Sequence, residues 1–170
     1  MNVSKKPTVN ITIRDTIEKD FEEIWDIFHS VVATGDTYAY SPDTSKEDAY
    51  AYWMPPHKKT YVATINNEVI GTYFIKDNQP GLGSHIANAA YMVHPKHQGK
   101  GIGLYMAQHS IAEAKNLNYS AMQFNLVVSS NEPAVSLWKK MGFKIIGTIP
   151  QGFRHSSQGL IDTYILHMGL

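Results

Sequence analysis

The chain has no cysteine. Disulfides, thiolate metal sites and a cysteine nucleophile are therefore excluded, and the absence suits a reducing, cytoplasmic location. Neither sign of charge is in excess: 15 Lys plus Arg balance 15 Asp plus Glu. No basic stripe is present, which argues against nucleic acid as a partner, although a few local cations can still hold one small anion. No apolar run approaches the roughly 18 residues that a membrane span requires, so no membrane partner is expected. The opening stretch MNVSKKPTVN carries charge but no apolar core. It reads as a flexible tail over residues 1–9 rather than a secretory signal. No linker, internal repeat or low-complexity segment divides the remainder, so residues 10–170 form one domain. At 170 residues and 43% hydrophobic content, the chain is long enough to bury a sizeable core. Of the eight histidines, His94 and His97 are separated by Pro95 and lack an obvious third ligand, so no metal is expected.

What is present is a regular alternation of patterns. NITIRDTI alternates apolar and polar residues as a half-buried strand does. The next segment repeats apolar residues at helical spacing, from Phe21 through Val32. Ser45 with Asp48 resembles a capping box opening a helix that Pro55 and Pro56 end. Thr60–Ile65 and Val69–Ile75 read as a hairpin around Asn66, Asn67 and Glu68. A strand HIANAAYMV follows, then a glycine loop, then a helix to about Asn116 with the apolar stripe Leu104, Ala107, Ile111 and Ala114. SAMQFNLVVS is a buried strand. Asn131 caps a helix that stops at Gly142. FKIIGTI and GLIDTYILHM close the chain as strands, with PQGFRHSSQ as the loop between them. The order β-α-α-β-β-β-α-β-α-β-β specifies a mixed α/β fold.

The stretch HQGKGIGLYM places Gly99, Gly101 and Gly103 where a helix begins. It fits neither the Rossmann fingerprint nor the P-loop. Its physics is nevertheless that of anion binding: unpaired amides at a helix N-terminus converge on a negative group, with Lys96 and Lys100 nearby. Together, YMVHPKHQGKGIGLYM and NEPAVSLWKKMGF resemble the two signatures of the GNAT N-acetyltransferases, in the family's order and strand–helix context. The resemblance implies an α/β fold of the GNAT type: a mixed, mostly antiparallel twisted sheet flanked by helices, with two splayed central strands. It implies acetyl-CoA as cosubstrate, its pyrophosphate on Gln98, Gly99, Lys100, Gly101, Ile102 and Gly103. The pantetheine arm would pair with Tyr91, Met92 and Val93 like an added strand, and Val93 N–H would polarise the thioester carbonyl.

Acetyl transfer to an amine needs a neutral amine, a polarised carbonyl and a proton for the leaving thiolate. With no cysteine to carry the acyl group, direct attack in a ternary complex is the simpler route. The family's usual tyrosine near the cofactor sulfur is replaced here by Trp138, whose indole is a hydrogen-bond donor only. Trp138 either packs on the pantetheine arm or serves as a core aromatic. Asn88 and Asn125 lie on the two strands expected to splay, and Asn131 either caps its helix alone or also orders a water. This set is similar to that of the acetyltransferases acting on proline analogues such as azetidine-2-carboxylate. The resemblance implies that Asn88 contacts the substrate, the backbone at Asn125 and Leu126 binds its carboxylate, and Asn131 orders a catalytic water. The C-terminal GTIPQGFRHSSQGLIDTYILHM also resembles phosphinothricin-type acetyltransferases.

The expected activity is N-acetylation of a small amino acid or proline analogue. A peptide or protein acceptor and a non-catalytic acyl-CoA sensor are the alternatives. The loop Gly35–Thr44 roofs the acceptor pocket in this reading, with Tyr38 and Tyr40 either touching substrate or packed. Arg154 and His155 either attract a carboxylate or are simply solvated. A homodimer through the C-terminal strands is expected from the resemblance.

Overall fold

The computed structural model describes residues 10–170; the tail read at residues 1–9 lies outside them. The alternating N-terminal stretch forms β1 (Thr12–Asp15). The helical pattern forms α1 (Phe21–Val32), burying Phe21, Ile24, Ile27, Phe28 and Val32. Ser45 Oγ accepts from the Asp48 amide at 3.1 Å and so opens α2 (Lys46–Trp53). The hairpin consists of β2 (Lys59–Ile65) and β3 (Glu68–Asp77). Its turn is tighter than the sequence suggests. Asn66 and Asn67 both take left-handed backbone, at φ 51 and 68, as a two-residue turn demands, so Glu68 already belongs to β3.

The remaining elements are β4 (Ile86–Val93), α3 (Ile102–Asn116), β5 (Ala121–Val128), α4 (Glu132–Lys140), β6 (Lys144–His155) and β7 (Gly159–Gly169). Two expectations need correction. The buried face of α3 is Ile102, Met106, Ala107, Ser110 and Ala114, with Leu104 and Ile111 only half-buried. Met106 fills the space left by the missing side chain of Gly71, and Ser110 is tolerated in the core because its hydroxyl donates to the Ala107 carbonyl at 2.8 Å. Most of PQGFRHSSQ is strand rather than loop. Ile149 pairs with Thr163 and Phe153 with Ile161, so Pro150, Gln151 and Gly152 bulge opposite Asp162. A bulge accommodates a proline, which has no ladder N–H to give. The Gln151 amide donates instead to Asp162 Oδ1 at 2.9 Å.

The seven strands form one sheet in the order β1-β2-β3-β4-β5-β7-β6. Helices α1 and α2 cover one face through a core containing Phe28, Trp53, Phe74 and Met92. The core on the other face contains Tyr73, Met106, Phe124 and Trp138. Among the described strands only β4 and β5 run parallel, and they pair at just two positions, Ile86 with Ala121 and Ala87 with Met122. Beyond those pairs the two strands separate, giving the splayed centre expected from the resemblance.

Candidate active site

The gap between β4 and β5 inherits its chemistry from strand alternation. The bonds His94 N–H to Ile70 O (2.9 Å) and Asn78 N–H to Ile86 O (2.8 Å) fix the phase of the β3–β4 ladder. By alternation, Ala90 and Met92 give their main-chain groups to β3, while Tyr91 and Val93 turn theirs towards the gap. Side chains alternate likewise: Asn88, Ala90 and Met92 point to the α1/α2 face, and Ala89, Tyr91 and Val93 to the α3/α4 face. Met92 itself is buried in the α1/α2 core, so a chain laid in the gap meets the main chain of Tyr91 and Val93 rather than that of Met92.

A cavity of about 420 Å³ fills the gap. It is lined from both faces of the sheet: Tyr91, Ala134 and Trp138 on the α3/α4 side, and Tyr38, Lys58, Lys76 and Asn88 on the other. Of the residues singled out in the sequence, Tyr38, Asn88, Tyr91, Asn125, Leu126, Asn131 and Trp138 all meet here. Val93 lies beyond its wall.

The contacts define what each can do. Asn88 Nδ2 donates to the Gln123 carbonyl at 2.9 Å, tying β4 to β5 where the gap opens. Asn125 Nδ2 donates to Asn78 Oδ1 at 2.7 Å, and its own Oδ1 accepts from Gln123 Nε2 at 3.0 Å. With Leu126 it forms a bulge, since Phe124 pairs with Leu166 and Val127 with Tyr164. Asn131 Oδ1 accepts from the Ala134 amide at 3.3 Å, so it caps α4 while also facing the cavity. Trp138 is 6% exposed, with ring centroids 4.5 Å from Phe124 and 4.7 Å from Tyr91. The core-aromatic reading of this indole applies, and the ring also forms part of the cavity wall.

Tyr38 makes a contact that the sequence does not foretell. Its hydroxyl donates to the Tyr91 carbonyl and accepts from the Tyr91 amide at 3.2 Å. It therefore occupies the main-chain pair that β4 offers to the gap. Burial raises the phenol pKa of both Tyr38 and Tyr91, so both stay neutral. The loop carrying Tyr38 is held from across the sheet: Ser156, at the tip of the β6–β7 hairpin, donates through its amide to Gly35 O at 2.9 Å and through its hydroxyl to Thr34 O at 2.8 Å. Gly35 permits this approach. It has φ 62, and a Cβ there would lie 3.1 Å from Ser156 Cβ.

The glycine loop lies beyond the end of β4. Gly99 and Gly101 have φ 75 and 80, and a Cβ on either would meet open space. The glycines thus serve backbone shape, leaving the surface uncovered. Gly101 is the N-cap of α3 and provides no side-chain cap. Among the described residues, the amides of Gly99 to Gly103 donate to no protein group. Lys100 is near His97, at 3.5 Å.

Sequence reading missed Lys58 and Lys76 on the cavity wall. The available signal was the hairpin register, in which Lys59 pairs with Ile75 and Lys58 therefore falls beside Lys76. No carboxylate or histidine lines the cavity among the described residues. Glu113 is committed elsewhere, accepting from Asn116 Nδ2 at 2.9 Å and Tyr61 Oη at 3.0 Å; these bonds, Asn116 foremost, lower its pKa. His94 and His97 engage separate acids, Asp26 at 3.1 Å and Glu68 at 3.7 Å. Among the described residues no three His, Asp or Glu cluster as metal ligands, and no helix is long and apolar enough to cross a membrane.

The model of the acetyltransferase (GNAT) family matches residues 18–143. The chain belongs to the GNAT acetyltransferases. The structure of a GCN5-related N-acetyltransferase from Kribbella flavida superposes on this GNAT with a TM-score of 0.91, at 36% identity, covering 94% of this chain and 98% of that one. N-acetyltransferase aca1 of Schizosaccharomyces pombe is 35% identical over 98 residues, which are 57% of this chain and 47% of that protein. This chain thus matches about half the length of that relative. A phosphinothricin acetyltransferase-like protein of Bacillus subtilis, YwnH, is 27% identical over 82% of this chain and 88% of its own. As an N-acetyltransferase, the GNAT enzyme must bring an acyl donor and an amine together in one geometry.

Proposed function

We propose that this enzyme transfers the acetyl group of acetyl-CoA to the amine of a small amino acid or proline analogue, by direct attack in a ternary complex. The observation that carries the reading is the parting of β4 and β5 after two residue pairs, which leaves a cavity beside main-chain donors. In this reading the pyrophosphate rests on the loop from Gln98 to Gly103, where helix polarity and the unpaired N–H groups of Gly99 to Gly103 favour an anion. The pantetheine arm runs along Tyr91 and Val93 as an added strand, with Met92 behind it, and packs against Trp138. Val93 N–H polarises the thioester oxygen, a donor fixed before the charge develops. Asn88 positions the amine, while Asn131 orders a water that accepts its proton, since an amide side chain is no base itself. The bulge backbone at Asn125 and Leu126 faces the acceptor carboxylate. The thiolate takes its proton from water, because Trp138 has none to give.

Two features support a small acceptor over a peptide. Tyr38 and Tyr40 cover the acceptor side, and Ser156 holds their loop in place. A homodimer belongs to the same reading: β6 is an edge strand of the sheet and exposes Ile146 and Ile149. Thiol release from acetyl-CoA tests the function directly, comparing azetidine-2-carboxylate and free amino acids with short peptides. Release with the small amines and little with peptides is the expected result. Release only with peptides would overturn the acceptor class.

A further inference from the structure

The acceptor side of the cavity carries an unbalanced charge. Lys76 on β3 sits in register with Asn88 on β4. Lys58, just before β2, lies in the same row on the far side of Lys76, because Lys59 pairs with Ile75. Strands in a sheet are about 4.8 Å apart, so two lysines and one asparagine stand side by side in one row, and all three line the cavity. Both lysines are half-buried. Neither has a carboxylate within ion-pair distance among the described residues, where the four ion pairs involve other groups. The nearest acid in sequence, Asp77, alternates to the opposite face and accepts from Tyr119 Oη at 2.7 Å.

Lys58 is held in place without being neutralised. Its ammonium donates to the Tyr52 carbonyl in the last turn of α2 and lies 4.2 Å from the centroid of the Phe74 ring. Burial, and then the charge of Lys76, push its pKa down to about 8. Two like charges on a partly dehydrated wall repel each other. A small anion placed between them removes that cost.

We infer that Lys58 and Lys76 grip the carboxylate of the acceptor amino acid, and so select for acceptors that carry an anion. The inference rests on the acetyl-transfer reading above and refines it. A lysine pair supplies charge as well as hydrogen bonds, and charge-assisted bonds are the stronger kind. The bulge at Asn125 and Leu126 then completes the anion's coordination and does not provide it alone. Asn88, next in the row, is left to orient the amine at the thioester.

The test uses L-azetidine-2-carboxylate and its carboxamide, which share the ring and differ in the anion, each compared between wild type and variant so that the lower basicity of the carboxamide's amine cancels. Each is titrated calorimetrically into the enzyme saturated with CoA, and each is assayed by thiol release. In the double variant Lys58→Met/Lys76→Met, binding of the acid is expected to weaken by about 30-fold or more, with the carboxamide unchanged. Lys76→Arg in the Lys58→Met background is expected to recover much of the preference for the acid. Thermal midpoint and CoA affinity report whether the variants remain folded. An equal loss for both ligands, no loss for either, or a fall in kcat with the acid's KM unchanged would overturn the grip. Acid binding that is lysine-dependent but produces no thiol would leave the grip standing and overturn acetyl transfer. Equal turnover of acid and carboxamide by the wild type would do the reverse.

Discussion

From Gln98 to Gly103 the surface offered to a ligand is main chain; around Tyr38, Lys58, Lys76 and Asn88 it is side chain. The first surface is one continuous segment, whose shape follows from two glycines at positive φ and a helix that begins without a side-chain cap. The second is gathered from the loop after α1, the start of β2, and strands β3 and β4. The contrast fits what the proposed function asks each end to recognise. A diphosphate is the same in every acyl-CoA, and amides in fixed array recognise it without any particular side chain. An acceptor differs from enzyme to enzyme, and selecting it requires charges and shapes that vary independently. In the proposed reading the gap between β4 and β5 joins the two surfaces.

The largest expected effect lies at the main-chain end. Gly101→Glu forces a residue with a Cβ into φ 80 and brings a carboxylate to amides proposed to hold the diphosphate. Left-handed backbone costs a non-glycine residue about 1–2 kcal/mol, and like-charge repulsion adds to that. CoA affinity, measured by calorimetry, is expected to fall by about 100-fold or more, while the thermal midpoint drops only a few degrees. Gly101→Ala sharpens the comparison. A Cβ there meets open space, so only backbone strain remains and the loss should be much smaller. If the glutamate variant binds CoA as the wild type does, the main-chain surface has been assigned to the wrong ligand.

The same contrast explains what could be read before folding. Each of α1–α4 and β1–β7 was legible at least in part, because period and caps are local: Ser45, Asn131 and Gly142 mark ends by chemistry confined to a few residues. The glycine loop was legible for the same reason. The misreadings have non-local causes. Glu68 is the exception, joining β3 because the two asparagines before it accept left-handed backbone together. Pro150 sits inside a strand because a bulge opposite Asp162 excuses its missing N–H. Ser110 is buried because Tyr91 and Ala107 satisfy its hydroxyl. Lys58 and Lys76 carry no motif at all, and only the register of β2 on β3 makes them neighbours. The contact of Tyr38 with Tyr91 spans 53 positions, and no local pattern encodes it.

At the side-chain end, pH separates the two surfaces. Lys58, with a pKa of about 8, is charged at pH 7 and neutral well above 8. Affinity for an anion at this wall should therefore be full below pH 8 and decline as pH rises through it. N-acetyl-azetidine-2-carboxylate is the suitable ligand, since it has a carboxylate and no titrating amine. Its affinity is expected to fall about 5- to 10-fold between pH 7 and 9.5. Burial raises the pKa of Tyr38 and Tyr40 on the same wall, which keeps them neutral across that window. A profile that is flat in the wild type, or unchanged in Lys58→Met, would remove Lys58 from the anion's surroundings. Asn88→Ala is expected to act more weakly. It deletes one bond, to Gln123, worth about 0.5–1.5 kcal/mol. kcat/KM for the acceptor should fall about 5-fold, with CoA affinity unaltered. A change in CoA affinity instead would show that the tie at the root of the gap shapes the whole cleft.

The smallest effect is also the one in which the two surfaces compete. Tyr38 comes from the acceptor roof, yet its hydroxyl holds the Tyr91 amide and carbonyl, the pair that a cofactor arm lying along β4 would use. The arm must displace the phenol before it can bond there. Tyr38→Phe keeps the ring and its stacking with Tyr40, at a centroid distance of 6.1 Å, and removes only the competing hydroxyl. Each neutral hydrogen bond contributes about 0.5–1.5 kcal/mol net. The variant leaves Tyr91 without that partner in the free enzyme, so binding gains what displacement would have cost. The expected outcome is acetyl-CoA binding about 2- to 5-fold tighter by calorimetry, with a slightly lower thermal midpoint because the free protein has lost two bonds. Weaker cofactor binding in this variant would mean that the hydroxyl stays beside the bound thioester as a ligand-contacting group, and the roof would then belong to both surfaces.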